Sequence, residues 1–304
     1  MPTAPPLGGG LYGRLVGAYP ETWGKLPLEL DAVFRSPAGF EAGTERLWNR
    51  PWHEGDPVPA NLLIQMAWYF ADFTLTRAAP NAYSLLIEVL ERNGLLGTTV
   101  LASLNYECLL EMAIERAGLK VVYLADATRH ETVLVLKPHG SCNFLPQLEA
   151  RSLSIVVSGE AGIYEGPLDF VSTQEVQRRY SELEWAIPPA MSLYAPNKPS
   201  RVGRATIGGI RDQWEKVVEA ARVIVVIGTR PVLADRHVWD PIVSSRAEVW
   251  YLASTSDPGY LDLQERLGRR LVPLGTRFSK DFGALEAKLA GRARSWGTVT
   301  GGGY

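Results

Sequence analysis

Short β-rich runs alternate with helical patterns from residue 97 to residue 290 of the sequence. Strands are predicted at residues 98–103, 120–125, 132–136, 153–157, 223–227, 249–253 and 271–274. Helices are predicted at residues 106–117, 174–185, 208–221, 260–267 and 280–290. This alternation is typical of βαβ units, in which helices join parallel strands and cover the sheet. The sequence therefore predicts an α/β fold with a Rossmann-like parallel sheet flanked by helices.

The preceding part of the chain has a helical pattern. Apolar side chains recur at helical spacing from residue 11 to residue 93, most clearly at residues 60–77 and 82–92. The Asn93-Gly94 pair supplies the left-handed stop that helix ends favour. We expect a mainly helical N-terminal portion within one domain that covers residues 1–304.

Residues 1–10, rich in proline and glycine, precede the first helical pattern. The sequence contains a Gly-x-Gly-x-x-Gly match at Gly8, Gly10 and Gly13, a pattern that lets a backbone approach a pyrophosphate where a strand leads into a helix. Because no strand is predicted before this match, we interpret residues 1–10 as a loop that leads into a helix starting at Leu11.

Residues 159–204 depart from the βαβ pattern. They are mixed and rich in turns, with the helix at residues 174–185 as the one regular element predicted there. We expect this segment to be an insertion or a cap.

Composition excludes several classes of function. A net charge of −2 gives no field that would attract phosphate backbones, so direct nucleic-acid binding is not indicated. Two cysteines, Cys108 and Cys142, cannot form a four-thiolate zinc cage, and no zinc is expected. No secretory signal and no apolar run of about 20 residues is present, which predicts a cytoplasmic protein without a membrane span.

Chemically useful residues follow three of the predicted strands. Asn105 follows the strand at residues 98–103, His139 the strand at 132–136, and the pair Gly228 and Thr229 the strand at 223–227. Ligands bind at the carboxyl ends of strands in open parallel sheets, so these residues are expected to share one crevice. A glycine-threonine turn offers backbone N–H groups and a hydroxyl to phosphate or ribose oxygens.

Each of these residues also has a purely structural interpretation. Asn105 could cap a helix that starts at Tyr106, and Glu107 could complement the dipole of that helix. His139 could be a hydrogen-bonded structural histidine, and Gly228-Thr229 could be an ordinary turn between a strand and a helix. The functional interpretation rests on their joint occurrence.

Three segments together resemble the sirtuin superfamily, and within it the bacterial sirtuin-like branch of NAD-consuming proteins. They are residues 99–107 (TVLASLNYE), residues 136–144 (LKPHGSCNF) and residues 224–231 (IVVIGTRP), with Asp235 downstream. They look like the strand followed by Asn-Tyr-Asp, the His-Gly-Ser motif and the Gly-Thr turn of that branch. The resemblance covers roughly residues 97–273.

The resemblance implies roles for individual residues, with NAD as the substrate. His139 would be the catalytic histidine, and Asn105 would position the nicotinamide ribose or the attacking water. The residues implied in binding NAD are Gly140, Ser141, Gly228, Thr229 and Asp235. A held ribose and a group that accepts a proton suit the oxocarbenium-like transition state of glycosidic cleavage.

The sequence departs from the family pattern at several places. Glu107 stands where the branch has Asp, Pro138 precedes the histidine, and residues 229–231 read Thr-Arg-Pro. The family also opens with a strand and a Gly-Ala-Gly-x-Ser loop around the NAD pyrophosphate. The chain looks as if it begins just after that motif, so either an upstream segment is missing or the loop has been lost.

These observations lead to three hypotheses about function. The first is a sirtuin-like NAD⁺ hydrolase that releases nicotinamide and ADP-ribose, with a role in bacterial anti-phage defence implied by the resemblance alone. The second is a non-catalytic module that binds an ADP-ribose-like nucleotide or docks a partner. The third is a protein deacylase, which the missing zinc cysteines disfavour. A homo-oligomer or a defence-complex partner is expected.

Overall fold

The computed structural model describes residues 5–6, 8–36, 39–49, 59–75, 81–124, 131–147, 154–158, 161–182, 187–192, 202–232 and 235–297. The chain divides into two compact units. Unit 1 contains Met1–Thr76, Ser103–Leu109 and Lys137–Ile210, and unit 2 contains Arg77–Ala102, Leu110–Leu136 and Arg211–Tyr304. The described parts of the chain combine helices with small parallel sheets, so the fold is mixed α/β.

Helices make up more than half of the described residues. The α-helices are α1 (Gly8–Ala18), α2 (Leu28–Arg35), α3 (Gly39–Asn49), α4 (Pro59–Ala71), α5 (Ala82–Arg92), α6 (Leu109–Arg116), α7 (Thr173–Glu182), α8 (Arg204–Ala220), α9 (Arg236–Ser244), α10 (Pro258–Leu267) and α11 (Phe278–Gly297). Short 3₁₀ turns lie at Trp23–Lys25, Leu96–Thr98 and Gly268–Arg270.

The strands among the described residues are short and belong to four small sheets. They are β1 (Leu101–Ala102), β2 (Lys120–Val122), β3 (Thr132–Leu136), β4 (Phe144–Pro146), β5 (Ser154–Ser158), β6 (Ala161–Glu165), β7 (Leu168–Phe170), β8 (Val223–Ile227), β9 (Glu248–Leu252) and β10 (Leu271–Gly275). Two sheets are parallel, with the orders β1-β3-β2 and β10-β9-β8. The pairs β4-β7 and β5-β6 are antiparallel.

Unit 2 contains both parallel sheets. The predicted strands at residues 132–136 and 223–227 are confirmed to the residue, because each is a continuous apolar run of the length of one strand. The six described strands of unit 2 are divided between two three-stranded sheets. The single Rossmann-like sheet therefore stays a prediction, whereas the α/β class with parallel strands is confirmed.

Unit 1 begins with the N-terminal helices, which pack through aromatic side chains. The Tyr12 ring stacks on Phe34 at 4.6 Å between centroids, and Trp23 lies 5.8 Å from Phe40. All four side chains are buried. The predicted helical character of this portion is confirmed for the described residues. Burial of aromatic rings on facing helices supplies the apolar contact that short helices need to be stable.

The helix boundaries near the N-terminus differ from the prediction. Helix α1 begins at Gly8 rather than at Leu11, so Gly10 and Gly13 lie inside a helix and the interpretation of residues 8–10 as a loop is wrong. Helix α4 ends at Ala71 rather than at residue 77. Helix α5 is confirmed at Ala82–Arg92, and Gly94 has the predicted positive φ of +65°.

Residues 159–204 contain more regular structure than the sequence indicated. Strands β6 and β7 lie there in addition to α7, which begins one residue before its predicted start. Helix α7 packs against α4, and both belong to unit 1. The segment therefore shares a compact unit with the N-terminal helices.

Some predictions fall outside the described residues. The sequence predicts a loop around Pro51 and Pro57 and a disordered glycine-rich end at residues 298–304, and both segments lie outside the described residues. Among the helices that the structure describes, none combines the length and the hydropathy needed to cross a bilayer.

Candidate functional site

Asn105 and His139 follow two strands that are direct neighbours. Strands β1 and β3 are parallel, and Ala102 pairs with Leu136. Asn105 lies three residues after Ala102, and His139 lies three residues after Leu136. The two candidate residues thus follow paired positions at equal distance along the chain. The two segments therefore leave neighbouring strands at the same level, as the strand-end argument requires, and a crevice shared by the two side chains stays a prediction.

His139 lies in a tight turn directly after β3. The N–H of Gly140 donates to the carbonyl oxygen of Lys137 at 2.8 Å, which closes a four-residue turn at residues 137–140, the histidine turn. Pro138 occupies the second position of that turn, where its fixed φ is favoured. The proline that departs from the family pattern therefore suits the local backbone. The His139 side chain is buried, with 4% of its surface exposed.

Both the backbone angle and the close neighbours of position 140 require glycine. Its φ is +75°, and a Cβ at this position would lie 2.0 Å from the carbonyl oxygen of Ala190. The close approach is part of a short antiparallel contact, in which Ser141 N–H donates to Ala190 O at 3.1 Å and Ser192 N–H donates to His139 O at 2.7 Å. The contact holds the backbone of the histidine turn on both sides of Gly140.

Tyr106 joins the segment around Asn105 (residues 103–109, the Asn105 segment) to the segment around His139 (residues 137–142, the His139 segment). Its carbonyl oxygen accepts hydrogen bonds from Cys142 N at 3.0 Å and from Ser141 Oγ at 3.1 Å. Its phenol hydroxyl donates to the carbonyl oxygen of Ser192. The ring is fully buried, 5.7 Å from the ring of Phe70. Ser141, predicted to bind NAD, therefore holds the two segments together.

Glu107 orients Asn105 and the start of α6. Its Oε2 accepts a hydrogen bond from Leu109 N at 2.7 Å, and its Oε1 accepts one from Asn105 Nδ2 at 2.9 Å. Helix α6 begins at Leu109, so the predicted helix start at Tyr106, and with it the prediction of Asn105 as N-cap, is wrong. The Glu107 carboxylate complements the N-terminus of α6, which agrees with the structural interpretation of this residue given by the sequence.

Asn105 itself is exposed, in contrast to the residues that follow it. Its Nδ2 is directed to the Glu107 carboxylate, and its N–H donates to Ser103 Oγ at 3.2 Å. The amide is therefore oriented by its neighbours while the residue remains accessible. An oriented and accessible amide can donate to or accept from a ligand hydroxyl.

Lys137 belongs to the site region and was missed by the sequence reasoning. Its side chain is fully buried, and its Nζ donates to the carbonyl oxygen of Glu107 at 2.6 Å. A buried cation is costly unless it is hydrogen-bonded, and this hydrogen bond joins Lys137 to the Asn105 segment within unit 1. Its position directly after four buried residues of β3 was the signal for burial.

Lys137→Ala is expected to lower the free energy of unfolding by about 2–4 kcal/mol, because it removes a buried hydrogen bond and leaves a cavity. Lys137→Met keeps most of the buried volume and is expected to cost less, within about 1.5 kcal/mol of the wild type. Urea denaturation of both variants measures the difference. Equal losses would show that the ammonium group, and not packing, accounts for the contribution of Lys137.

Gly228, Thr229 and Asp235 lie in unit 2, whereas Asn105, His139, Gly140 and Ser141 lie in unit 1. Gly228 has φ +64°, and its N–H donates to Leu252 O at 3.0 Å. The Thr229 carbonyl oxygen accepts from the Tyr251 hydroxyl at 3.2 Å.

Asp235, directly before α9, is buried. Tyr251, which contacts Thr229, belongs to the same unit. Its pKa is raised to about 12, mainly by burial and then by the nearby charge of Asp257. The contacts of Gly228, Thr229 and Asp235 with NAD stay predictions.

No group of three or more histidine, cysteine, aspartate or glutamate side chains that could hold a metal ion occurs among the described residues. The polar side chains of the two hydrogen-bonded segments are the His139 imidazole, the Asn105 amide, the Ser141 hydroxyl, the Tyr106 phenol, the Glu107 carboxylate and the Lys137 ammonium. An imidazole can accept a proton, and an amide can hold a hydroxyl or a water molecule. The arrangement suits chemistry in which a water molecule or hydroxyl loses a proton.

Comparison with known proteins does not assign the chain to a family. No protein-family model matches the chain, and no curated protein is significantly similar to it.

Proposed function

We propose that the chain hydrolyses the N-glycosidic bond of NAD⁺ and releases nicotinamide and ADP-ribose. His139 accepts the proton of the attacking water, and Asn105 positions that water or the nicotinamide ribose. The bond between the ribose C1′ and the pyridinium nitrogen breaks, and its electron pair neutralises the leaving nicotinamide. The water oxygen bonds to C1′, and His139 receives the proton.

One observation carries the proposal: β1 and β3 are paired neighbours, and Asn105 and His139 follow them at equal distance. Hydrogen bonds from Ser141, Cys142 and Lys137 to the carbonyl oxygens of Tyr106 and Glu107 join the two segments within unit 1. Fixed geometry of this kind lowers the entropic cost of bringing a base and a positioning group to one substrate.

The orientation and the exposure of Asn105 support its part in the proposal. Its amide is oriented by the Glu107 carboxylate at 2.9 Å, and the residue is exposed. A group that holds a ribose hydroxyl or a water needs both a fixed orientation and access to the ligand. The resemblance to NAD-consuming proteins selects NAD⁺ among glycosidic substrates, and the imidazole supplies the proton acceptor.

Asn105→Ala is expected to lower the rate of nicotinamide release from NAD⁺ by about 10²-fold, because a mispositioned substrate or water loses that much in rate. Purified chain is incubated with NAD⁺, and nicotinamide and ADP-ribose are separated by chromatography. Asn93→Ala is the matched control. Asn93 Nδ2 donates to Val89 O at the end of α5, outside the proposed site, and its loss is expected to leave the rate unchanged.

Three outcomes would distinguish the alternatives. Wild-type chain that binds ADP-ribose without releasing nicotinamide would support the non-catalytic nucleotide-binding module. Deacylated peptide formed together with O-acyl-ADP-ribose would support a deacylase. Nicotinamide release at the same rate in wild type and Asn105→Ala would remove Asn105 from the mechanism.

A further inference from the structure

The only two cysteines of the chain lie in contact with each other. Cys108 and Cys142 are both thiols in unit 1, and their Sγ atoms are 3.7 Å apart although the residues are separated by 34 positions. Cys108 lies beside the start of α6, and Cys142 follows the histidine turn. The Cys108 Sγ is also 3.9 Å from Ser141 Oγ.

We propose that Cys108 and Cys142 form a dithiol modification site that a hydroperoxide oxidises reversibly to an intramolecular disulfide. One thiol, as thiolate, attacks the peroxide oxygen, and the O–O bond breaks to give a sulfenic acid and, with hydrogen peroxide, water. The second thiol then attacks the sulfenic sulfur, the S–S bond forms, and a second water leaves. The two sulfurs together lose two electrons, and the peroxide gains them.

The backbone brings the two sulfurs together before any reaction. Cys142 N–H donates to the carbonyl oxygen of Tyr106 at 3.0 Å, and Ser141 Oγ donates to the same oxygen at 3.1 Å. A disulfide requires an S–S distance of about 2.05 Å, so side-chain rotation and a small backbone shift must shorten the present contact. Because the two chain segments are already hydrogen-bonded, the second thiol reacts at a high effective concentration.

Burial determines how this site reacts. Cys108 is 4% exposed and Cys142 is fully buried. The phenol of Tyr180 is buried near Cys142: its pKa is raised well above 10, first by burial and then by interaction with Cys142. A peroxide therefore reaches the pair through local opening of the unit, and the disulfide is protected from reductants once the unit closes again.

The disulfide would connect two segments that both carry candidate site residues. Cys108 directly follows Glu107, whose carboxylate orients Asn105, and Cys142 lies three residues after His139. Oxidation would thus fasten the Asn105 segment to the histidine turn covalently. The inference rests on the two thiols alone and does not depend on the hydrolysis of NAD⁺.

Peptide mapping tests the proposal directly. The full chain is treated with hydrogen peroxide, remaining thiols are alkylated, and the protein is digested with trypsin without reduction. The cysteines then lie in separate peptides, residues 93–116 and 130–151, since the Lys137-Pro138 bond resists trypsin. We expect these two peptides to be joined in monomeric protein, and dithiothreitol to separate them. Thiol titration should fall from two per chain to none.

Cys108→Ser and Cys142→Ser are each expected to abolish the joined peptide and to leave a sulfenic acid that dimedone traps on the remaining cysteine. Wild-type protein should show at least tenfold less dimedone labelling than either variant, because the second thiol consumes the sulfenic acid. Thiols that stay reduced, that form sulfinic acids separately, or that join two chains together would overturn the proposal. Each of these outcomes is read from the same digest.

Discussion

Replacing His139 by alanine is expected to lower the rate of nicotinamide release from NAD⁺ by about 10²- to 10⁴-fold, the range that a positioned general base contributes. The imidazole is the proton acceptor of the proposed mechanism, and alanine has no group that can replace it. Initial rates over a series of NAD⁺ concentrations separate kcat from KM. The loss is expected mainly in kcat, because the base acts on the attacking water.

His139→Gln is the matched variant for this measurement. Glutamine fills much of the volume of the buried imidazole and keeps polar atoms, but its amide does not accept a proton near neutral pH. We expect it to lose activity as strongly as alanine while it unfolds closer to the wild-type urea concentration. Glutamine and alanine variants that both retain the wild-type rate would show that His139 is structural.

Gly140→Ala is expected to lower the free energy of unfolding by more than about 3 kcal/mol and to abolish activity with it, since a strained backbone angle and a steric overlap act together. The φ of Gly140 is +75°, and an added Cβ would lie 2.0 Å from the backbone oxygen of Ala190. Relief would require the histidine turn to move away from Ala190, which breaks the hydrogen bond from Ser141 N. Urea denaturation followed by circular dichroism measures the loss.

Gly39→Ala separates the two causes. Gly39 lies in the same unit with a φ of +64°, but a Cβ there would meet nothing within 4 Å. Only backbone strain then remains, and the expected cost is about 1–2 kcal/mol. If Gly39→Ala and Gly140→Ala lower the free energy of unfolding by similar amounts, the backbone at Ala190 moves at little cost and the steric overlap has little effect.

The sequence predicts a helix or strand correctly where one apolar pattern covers the whole element, as for β3, β8 and α5. Strands β3 and β8 are predicted to the residue, because each is a short run of mostly β-branched and aliphatic residues with the length of one strand. Strands β4 and β7 were missed, since each has three residues and exists only through pairing with the other. The sequence predicts a helix from Tyr106 because Asn105 is a favourable capping residue, whereas α6 begins at Leu109, where the Glu107 carboxylate accepts the hydrogen bond from the first turn.

The candidate site was predictable in part for the same reason. The sequence places Asn105 and His139 just after predicted strands, and β1 pairs with β3, whereas the action of the two residues on a substrate stays a prediction. The link from the Tyr106 hydroxyl to Ser192 joins residues 86 positions apart, and no local pattern indicates it. Lys137 was missed because a charged side chain is ordinarily exposed, and its burial depends on a carbonyl oxygen from another segment.

The sequence by itself determined the α/β class and the positions of β3 and β8, because hydrophobic patterns act over a few neighbouring residues. It also favours the turn after β3, since Pro138 suits the second position of a turn and Gly140 tolerates a positive φ. Only the tertiary structure decided that Gly140 must lack a side chain and that Tyr106 fastens the histidine turn. It also brought Cys108 to Cys142. Each of these features depends on packing between segments that are distant along the chain, and such contacts leave no regular spacing in the sequence.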